Sequence, residues 1–145
     1  MKVVLQRVSR GAVIVAGEEI ATIKSGVVLL VGIGPEDDEE KADWLARKIA
    51  TLRVFEDAEG KTNFSLRDVG GEALVISQFT LYADVTKGRR PSFTAAAVPE
   101  IAEPLVAHFA QSLQSQGIPT KKGEFGAHML VEIENDGPVT ILLER

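Results

Sequence analysis

Two short polar stretches hold the side chains whose types and spacing could do chemistry. Ser77-Gln78-Phe79-Thr80-Leu81 follows the apolar run Ala73–Ile76, so hydroxyl and amide groups come where a buried strand would end. Polar groups at the end of a buried strand are held rigidly at the edge of a core. With backbone N–H groups, they suit binding of a carbonyl and of the oxyanion that forms when it is attacked. Acyl-ester hydrolysis is one reaction for this stretch, and a plain amphipathic strand is the alternative.

The second stretch is Asn135-Asp136-Gly137-Pro138-Val139-Thr140, which puts Gly137-Pro138 between the apolar runs Met129–Ile133 and Val139–Leu143. Proline has no N–H to give to a β-ladder, so we expect Gly137-Pro138 to form a turn or loop between two strands. Arg7 lies inside the first apolar strand pattern. Its guanidinium either stands on the surface or holds a backbone carbonyl or a carboxylate.

Several kinds of site have no matching residues. The chain has no cysteine, which excludes a thiolate nucleophile and a cysteine zinc site. No P-loop or dinucleotide fingerprint is present. The only histidines are His108 and His128, and no serine lies in a nucleophile-elbow sequence, so a Ser-His-Asp triad is not indicated. We expect neither a bound metal nor a cofactor.

Size and charge narrow the class of protein further. A chain of 145 residues fits one domain, residues 1–145. The net charge of −5 argues against a general nucleic-acid coat, and we expect no DNA partner. No apolar run approaches the ~20 residues that a membrane span needs. A cytoplasmic protein without a membrane partner is the expectation.

The order of the apolar patterns predicts an α+β fold with mostly antiparallel sheets and two main helices. The helices are predicted at 36–52 and 99–116, where apolar residues recur at steps of three and four. Short connections between the strands favour antiparallel pairing. The predicted strands are 2–8, a hairpin of 12–15 with 18–23, a central strand at 27–33 buried on both faces, 53–55, and 73–81. Residues 57–71 are predicted to form a surface turn and loop.

The two polar stretches together resemble the motifs of the D-aminoacyl-tRNA deacylases, first called D-tyrosyl-tRNA deacylases. Both occur in order and at the expected separation for a chain of this length. The similarity extends to Gln6-Arg7-Val8, to Asp57-Ala58-Glu59-Gly60-Lys61 with Asn63, to Arg90-Pro91-Ser92-Phe93, and to Phe125-Gly126-Ala127 with Met129. The resemblance implies a homodimeric cytoplasmic enzyme that hydrolyses the ester joining a D-amino acid, or glycine mischarged on tRNA-Ala, to the 3′ end of tRNA.

The resemblance also implies roles for individual residues. The Gly137-Pro138 bond would be cis, and its loop would reach into the partner subunit's active site, where the two carbonyls reject an L-amino acid. Arg7 would hold that loop through its backbone, and Asn135 belongs to the same substrate-binding motif. Ser77 and Thr80 would position water and ester. Gln78 and Phe79 would supply oxyanion donors and a stacking surface, and Phe125 and Met129 would complete a pocket for the terminal adenosine.

Catalysis has two readings in this family: Thr80 as the nucleophile, or assistance by the terminal 2′-hydroxyl of the tRNA itself. We favour the second, because a nucleophilic hydroxyl needs a base beside it and the sequence offers none. Candidate phosphate partners are Lys87, Arg89, Arg90, Lys121 and Lys122. The alternatives are a non-catalytic tRNA- or nucleotide-binding module, an esterase of small acyl substrates, and a deacylase variant for L-alanyl-tRNA with a trans Gly-Pro bond and a wider pocket.

Overall fold

The computed structural model describes residues 1–145, and the fold is organised around its first strand, β1. In chain order the elements are β1 (Lys2–Val15), β2 (Glu18–Ile23), β3 (Gly26–Gly32), α1 (Glu39–Thr51), β4 (Arg53–Glu56), β5 (Thr62–Ser65), β6 (Glu72–Ser77), a 3-10 helix (Phe79–Tyr82), α2 (Pro99–Ser115), β7 (Thr120–Lys122) and β8 (Met129–Glu144). Neither helix is both long and apolar enough to cross a membrane.

The strands form one six-stranded sheet and a separate hairpin of β4 with β5. β1 pairs antiparallel with β2 and β3 along one edge and with β8 along the other. β6 pairs parallel with both β3 and β7. The prediction of mostly antiparallel sheets with two helices is confirmed, and the sheet curls into a nearly closed, barrel-like single domain. The parallel pairs require long crossovers, which α1 with the hairpin, and α2, supply.

Apolar residues cover both faces of the sheet. On one face, side chains of β1 and β3 pack against α1 and α2, where Leu45, Ile49 and Phe109 are fully buried. On the other face, Val28 of β3 joins Leu74 and Ile76 of β6 in a smaller cluster. The prediction that the 27–33 strand is central and buried on both faces is therefore confirmed.

The predicted strand 73–81 is too long. β6 ends at Ser77, and a 3-10 helix begins two residues later. The N–H of Gln78 still donates to the carbonyl of Val31, at 2.7 Å, and the next backbone bond runs from Leu81 N–H back to Gln78 O, at 3.3 Å. The chain therefore leaves the sheet at the middle of the first polar stretch and does not continue as an amphipathic strand.

The predicted turn at Gly137-Pro138 is also wrong, because β8 runs through it as one strand of 16 residues. Val8 pairs with Asn135 and Gln6 pairs with Thr140, so the four residues 136–139 lie opposite Arg7 alone. A bulge of this kind accommodates a proline without breaking the strand, because the extra residues give no N–H to the ladder.

The remaining differences lie at element ends and in short strands. β1 is one strand and not two. α1 begins after Asp38, whose carboxylate accepts from Lys41 N–H and caps the helix, so the acidic residues before it lie outside. Residues 62–65 and 120–122 are short strands within segments that the sequence indicated only as a loop and a connection. Such short pieces carry too few residues for a periodic pattern.

Candidate active site

A cavity of about 790 Å³ opens beside the carboxyl end of β6. Its floor is formed by the ends of β3 and β6, at Val31 and Ile76, and its side by Ala102 and Val106 of α2. The wall is completed by the segments 93–99 and 125–129. A concave, mostly apolar site with a few polar groups at one side is typical of a pocket for a small molecule or for part of a larger one.

The first polar stretch borders this cavity. Ser77, Gln78 and Phe79 line it, whereas Thr80 does not. Thr80 is exposed on the 3-10 helix, and its hydroxyl accepts a short hydrogen bond from the side-chain amide of Gln78. No histidine or carboxylate is hydrogen-bonded to Thr80. An amide does not take up a proton at neutral pH, so nothing beside Thr80 activates it as a nucleophile.

Backbone donors at this site come from the start of the 3-10 helix. The N–H of Gln78 is already used by Val31, so it is not free for a ligand. Phe79 and Thr80 are the first two residues of the helix, and the opening N–H groups of a helix have no acceptor within it. Of the residues that carry such groups, Phe79 lines the cavity together with Ser77, whose hydroxyl is a further donor, and Thr80 follows Phe79 directly.

Aromatic side chains stand at the mouth of the cavity. Phe79 is 56% exposed and meets Phe93 edge to face, with ring centroids 5.0 Å apart. Phe125 and Met129 also line the cavity. Met129 is set against Ile76 because Gly123 has no side chain: a Cβ there would lie 2.7 Å from Met129 Sδ. An exposed aromatic face beside an apolar cavity is suited to stacking a nucleobase.

The second polar stretch forms a separate group around Arg7. The guanidinium is 4% exposed and donates from Nε to Asp136 O at 3.0 Å, from Nη1 to Val54 O at 2.7 Å, and from Nη2 to Glu56 Oε1 at 3.2 Å. The sequence allowed a surface arginine or a fork that grips a backbone carbonyl, and the structure has the fork. It attaches the bulge of β8 to β4.

Asn135 stabilises the same bulge from the other side. Its Oδ1 accepts from Val139 N–H at 3.0 Å, and its Nδ2 donates to Thr140 Oγ1 at 2.9 Å. The bond between Gly137 and Pro138 is cis, and both residues are exposed. A bulge fixed at both ends presents its backbone to the outside in one conformation.

The structure does not bring the two groups together within one chain. Gly137, Pro138, Asn135 and Arg7 do not line the cavity. Val131 does, and it lies six residues before Gly137 on β8, or about 20 Å away at the rise of a strand. Within one chain, the two polar stretches therefore form two separate groups.

Other residues fall where sequence reasoning did not place them. The cavity is also lined by apolar residues before and at the start of α2: Phe93, Ala96, Ala97, Val98 and Ala102. Sequence reasoning missed them because the spacing of apolar residues does not distinguish cavity-lining residues from core residues. His128 also lines the cavity. His108 does not: its Nε2 lies 2.9 Å from Asp43 Oδ1, in a contact between α2 and α1.

The five candidate cations are all exposed. Lys87, Arg89 and Arg90 lie on a loop whose base is closed by two backbone bonds between Asp84 and Ser92, of 2.8 and 2.9 Å. Phe93 follows directly, so this loop stands beside the cavity mouth. Lys122 lines a smaller hollow that adjoins the cavity at Ser77 and Phe125. Lys121 donates to Thr22 O at 2.6 Å and is the one of the five with a partner.

Comparison with known proteins gives consistent matches over nearly the whole chain. The family model described as D-Tyr-tRNA(Tyr) deacylase matches residues 4–144. A protein of Thermomicrobium roseum named D-aminoacyl-tRNA deacylase is 59% identical over 144 residues, covering 99% of this chain and 94% of that protein. A protein of the same name from Limosilactobacillus reuteri is 54% identical over 145 residues, covering all of both chains.

Solved structures agree on the fold. One described as c-Myc DNA Unwinding Element Binding Protein is 45% identical to this chain, with a TM-score of 0.92. The match covers 100% of this chain and 99% of the other chain. Another, described as a probable eukaryotic D-amino acid tRNA deacylase, has a TM-score of 0.86 at 17% identity, with 98% and 97% covered. The second likeness bears on the fold alone.

Proposed function

The chain belongs to the D-Tyr-tRNA(Tyr) deacylase family, and we propose from this that it is a hydrolase of the ester of D-aminoacyl-tRNA, with the whole of residues 1–145 acting as one deacylase domain. The observation that carries the proposal is the apolar cavity at the end of β6, edged by Ser77 and the first N–H groups of the 3-10 helix. It combines a place for a nucleoside with donors for an ester carbonyl. The proposed substrates include glycyl-tRNA mischarged on tRNA-Ala, and the proposed location is the cytoplasm.

In the proposed reaction, water adds to the acyl carbon and the carbonyl oxygen becomes an oxyanion. The N–H groups of Phe79 and Thr80 stabilise that charge, and Ser77 helps to place the ester. The acyl–oxygen bond then breaks, the 3′ oxygen of the tRNA takes a proton, and the free D-amino acid leaves. The terminal adenosine packs against Phe79, Phe125 and Met129. No cofactor takes part in this scheme.

The 2′-hydroxyl of the terminal adenosine assists the attack in this proposal. Support comes from the side chains around Thr80, because its hydroxyl is bonded only to the amide of Gln78 and has no base. Thr80→Ala is therefore expected to keep most of the activity, and complete loss would restore Thr80 as the nucleophile. A tRNA that ends in 2′-deoxyadenosine, charged with the same D-amino acid, is expected to resist hydrolysis.

Chirality is read by backbone atoms in this proposal. The carbonyls of Gly137 and Pro138, on the bulge held by Arg7 and Asn135, face the α-carbon and ammonium of the substrate and reject the L-enantiomer by steric clash. Because the bulge does not line the cavity of its own chain, the proposal has a partner subunit in a homodimer deliver it. β8 suits such an interface, since it pairs only with β1 and exposes Leu130 and Leu142 by 60% and 64%.

The basic loop serves the acceptor end of the tRNA. Lys87, Arg89 and Arg90 neutralise phosphates beside the terminal nucleotide, and Lys121 and Lys122 do so on the other side of the cavity. Contacts confined to this region are compatible with a net charge of −5.

The experiment that tests the function compares matched D-Tyr-tRNA and L-Tyr-tRNA, incubated with the purified protein and with buffer alone. Loss of the D-ester with the L-ester spared is the expected result and establishes both the reaction and the chiral filter. Loss of both esters would remove the backbone wall from the proposal. An L-alanyl-tRNA charged on a non-cognate tRNA tests the L-alanine variant in the same assay.

One observation favours a second candidate, a nucleic-acid-binding module without catalysis. A solved structure 45% identical to this chain is described by its binding to a DNA element. This candidate predicts salt-dependent binding of tRNA or DNA with both esters intact. Turnover of a simple ester without tRNA would instead favour a small-acyl esterase.

A further inference from the structure

The 3-10 helix has no buried residue of its own, so contacts outside it must hold it in place. It lies directly on Gly32, the last residue of β3, and on Gly34, which follows the strand. A Cβ on Gly32 would come 3.0 Å from Leu81 Cβ and 3.1 Å from Gln78 O, and a Cβ on Gly34 would come 2.8 Å from the hydroxyl of Tyr82. Only residues without a side chain allow this approach.

A buried carboxylate ties the last residue of the helix to this surface. The side chain of Asp37 is 4% exposed. Its Oδ2 accepts from Gly34 N–H at 2.7 Å and from the Tyr82 hydroxyl at 3.2 Å. Its Oδ1 lies 2.5 Å from the amino group of Met1 and 3.2 Å from Lys41 Nζ. Both oxygens are thus partnered, as a buried charge requires.

Electrostatics keep this contact formed. Burial by itself would raise the pKa of Asp37, but bonds from the Met1 amino group, Gly34 N–H and Lys41 outweigh it and lower that pKa. Burial, and then the charge of Asp37, raise the pKa of Tyr82 far above its ordinary value, so its phenol stays protonated and keeps donating. Lys2 Nζ adds a cation 4.8 Å from the centre of the same ring.

We propose that Asp37 and Tyr82 are positioning residues for the deacylation reaction. With Gly32 and Gly34 they form a seat for the 3-10 helix, the helix seat, which holds Phe79 and Thr80 at the cavity edge. Neither residue lines the cavity, so neither touches substrate. The inference rests on the proposed function, because it assigns the helix seat a role in the same reaction.

The variant Tyr82→Phe tests the helix seat most directly, because it keeps the ring and removes only the hydroxyl. Donors aimed at a developing oxyanion act on the transition state, and a small displacement reduces the rate more than it reduces binding. We expect kcat for D-Tyr-tRNA to fall about 10-fold and KM to stay within about 2-fold. Gly34→Ala, which pushes the ring outwards without removing any donor, should act in the same direction.

Lys41→Gln is the matched control. Lys41 also contacts Asp37, at Oδ1, but it lies on α1 and makes no bond to the 3-10 helix. The variant Lys41→Gln should lower the free energy of unfolding, as Tyr82→Phe does, and should leave kcat unchanged. If the contacts of Asp37 served stability alone, kcat would change equally in Tyr82→Phe and in Lys41→Gln.

A second measurement needs no activity. Tyr82 is the only tyrosine of the chain, so ultraviolet absorbance reports its ionisation alone. Asp37→Asn should shift that ionisation to lower pH. Tyr82→Phe should also speed hydrogen exchange of the Leu81 and Ala83 amides, which bond to Gln78 O and Thr80 O within the helix.

The outcomes separate the two proposals. Unchanged kcat in Tyr82→Phe, or an equal loss in Lys41→Gln, overturns the role of the helix seat. If the unmodified protein hydrolyses neither ester, the proposed function fails. Hydrogen exchange alone then tests whether the helix seat holds the 3-10 helix in place. Faster exchange in Tyr82→Phe supports it, and exchange as slow as in the unmodified protein overturns it.

Discussion

At the scale of single residues, the position that matters most for the proposed chiral filter is Gly137. Its φ of +129° is a conformation that residues with a side chain rarely adopt. An added Cβ would lie 2.9 Å from Val139 Cγ2 and 3.0 Å from Arg7 Nη2. Any other residue at this position would strain the backbone that we propose as the chiral wall and would displace its neighbours.

Gly137→Ala is expected to displace the bulge from Arg7 and to reduce hydrolysis of D-Tyr-tRNA by at least about 10-fold. The free energy of unfolding should fall by about 1–3 kcal/mol, the range for a residue in a strained backbone region. Steady-state kinetics and urea unfolding measure the two effects.

The matched control is Gly17→Ala, in the turn between β1 and β2. Gly17 also has a positive φ, of +88°, but an added Cβ there meets nothing within 4 Å. The variant Gly17→Ala should be less stable than the unmodified protein and should hydrolyse D-Tyr-tRNA at the full rate. Normal D-Tyr-tRNA hydrolysis by Gly137→Ala would contradict the assigned role of the bulge.

At the scale of elements, Arg7 joins three strands, since it projects from β1 and bonds both the bulge of β8 and the backbone of β4. Lysine keeps the charge but has no planar fork, so it cannot serve all these acceptors in fixed directions.

Arg7→Lys should therefore lower the free energy of unfolding by about 1.5–3 kcal/mol, the value of a hydrogen bond to a charged group. It should also reduce deacylation, because the bulge loses its orientation. Arg10→Lys, on the same strand but only half-buried and paired with Glu19 and Glu132, should change neither quantity. Equal effects of the two variants would mean that the fork does not orient the bulge.

The loop between Asp84 and Ser92 is the element that we assign to phosphate binding. Arg89→Gln combined with Arg90→Gln should raise KM for D-aminoacyl-tRNA several-fold and leave kcat nearly unchanged. The dependence of log KM on log salt should weaken by about 1.4–1.8, for two phosphate contacts. The control is Arg47→Gln with Lys48→Gln, the same loss of charge on the exposed face of α1. A similar rise of KM in the control would mean that the loop acts only through the net charge of the protein and not through contacts with phosphates.

At the scale of the whole molecule, the distribution of aspartates sets how stability depends on pH. Hydrogen bonds from backbone and side chains lower the pKa of Asp43, Asp57, Asp68 and Asp84, and for Asp37 the partners overcome the cost of burial. A carboxylate whose pKa is lower in the folded state stabilises the fold above its unfolded pKa of about 3.9. That stabilisation is lost as the pH falls through the folded pKa.

Urea unfolding should therefore show a steady stability at neutral pH and a steep decline below about pH 4. Asp37→Asn should be less stable than the unmodified protein at pH 7 and should lose less on acidification. If the free energy of unfolding declined in parallel in both proteins, Asp37 would contribute nothing to the loss of stability in acid.

The local apolar patterns were enough to predict both helices, the central strand, the first hairpin and the α+β class, because burial periodicity is a property of neighbouring residues. The two polar stretches were likewise visible in the sequence. Arg7 was recognisable as unusual, since a guanidinium lies within an apolar strand.

Only the tertiary structure decided how these parts meet. The Gly137-Pro138 segment looks like a turn locally, yet pairing with β1 on both sides keeps β8 continuous and turns the extra residues into a bulge. The N–H of Gln78, just after the end of β6, bonds the carbonyl of Val31, which lies 47 positions away in sequence. Separation of the bulge from the cavity of its own chain has the same origin. Pairing between distant strands sets these distances, and no run of neighbouring residues records it.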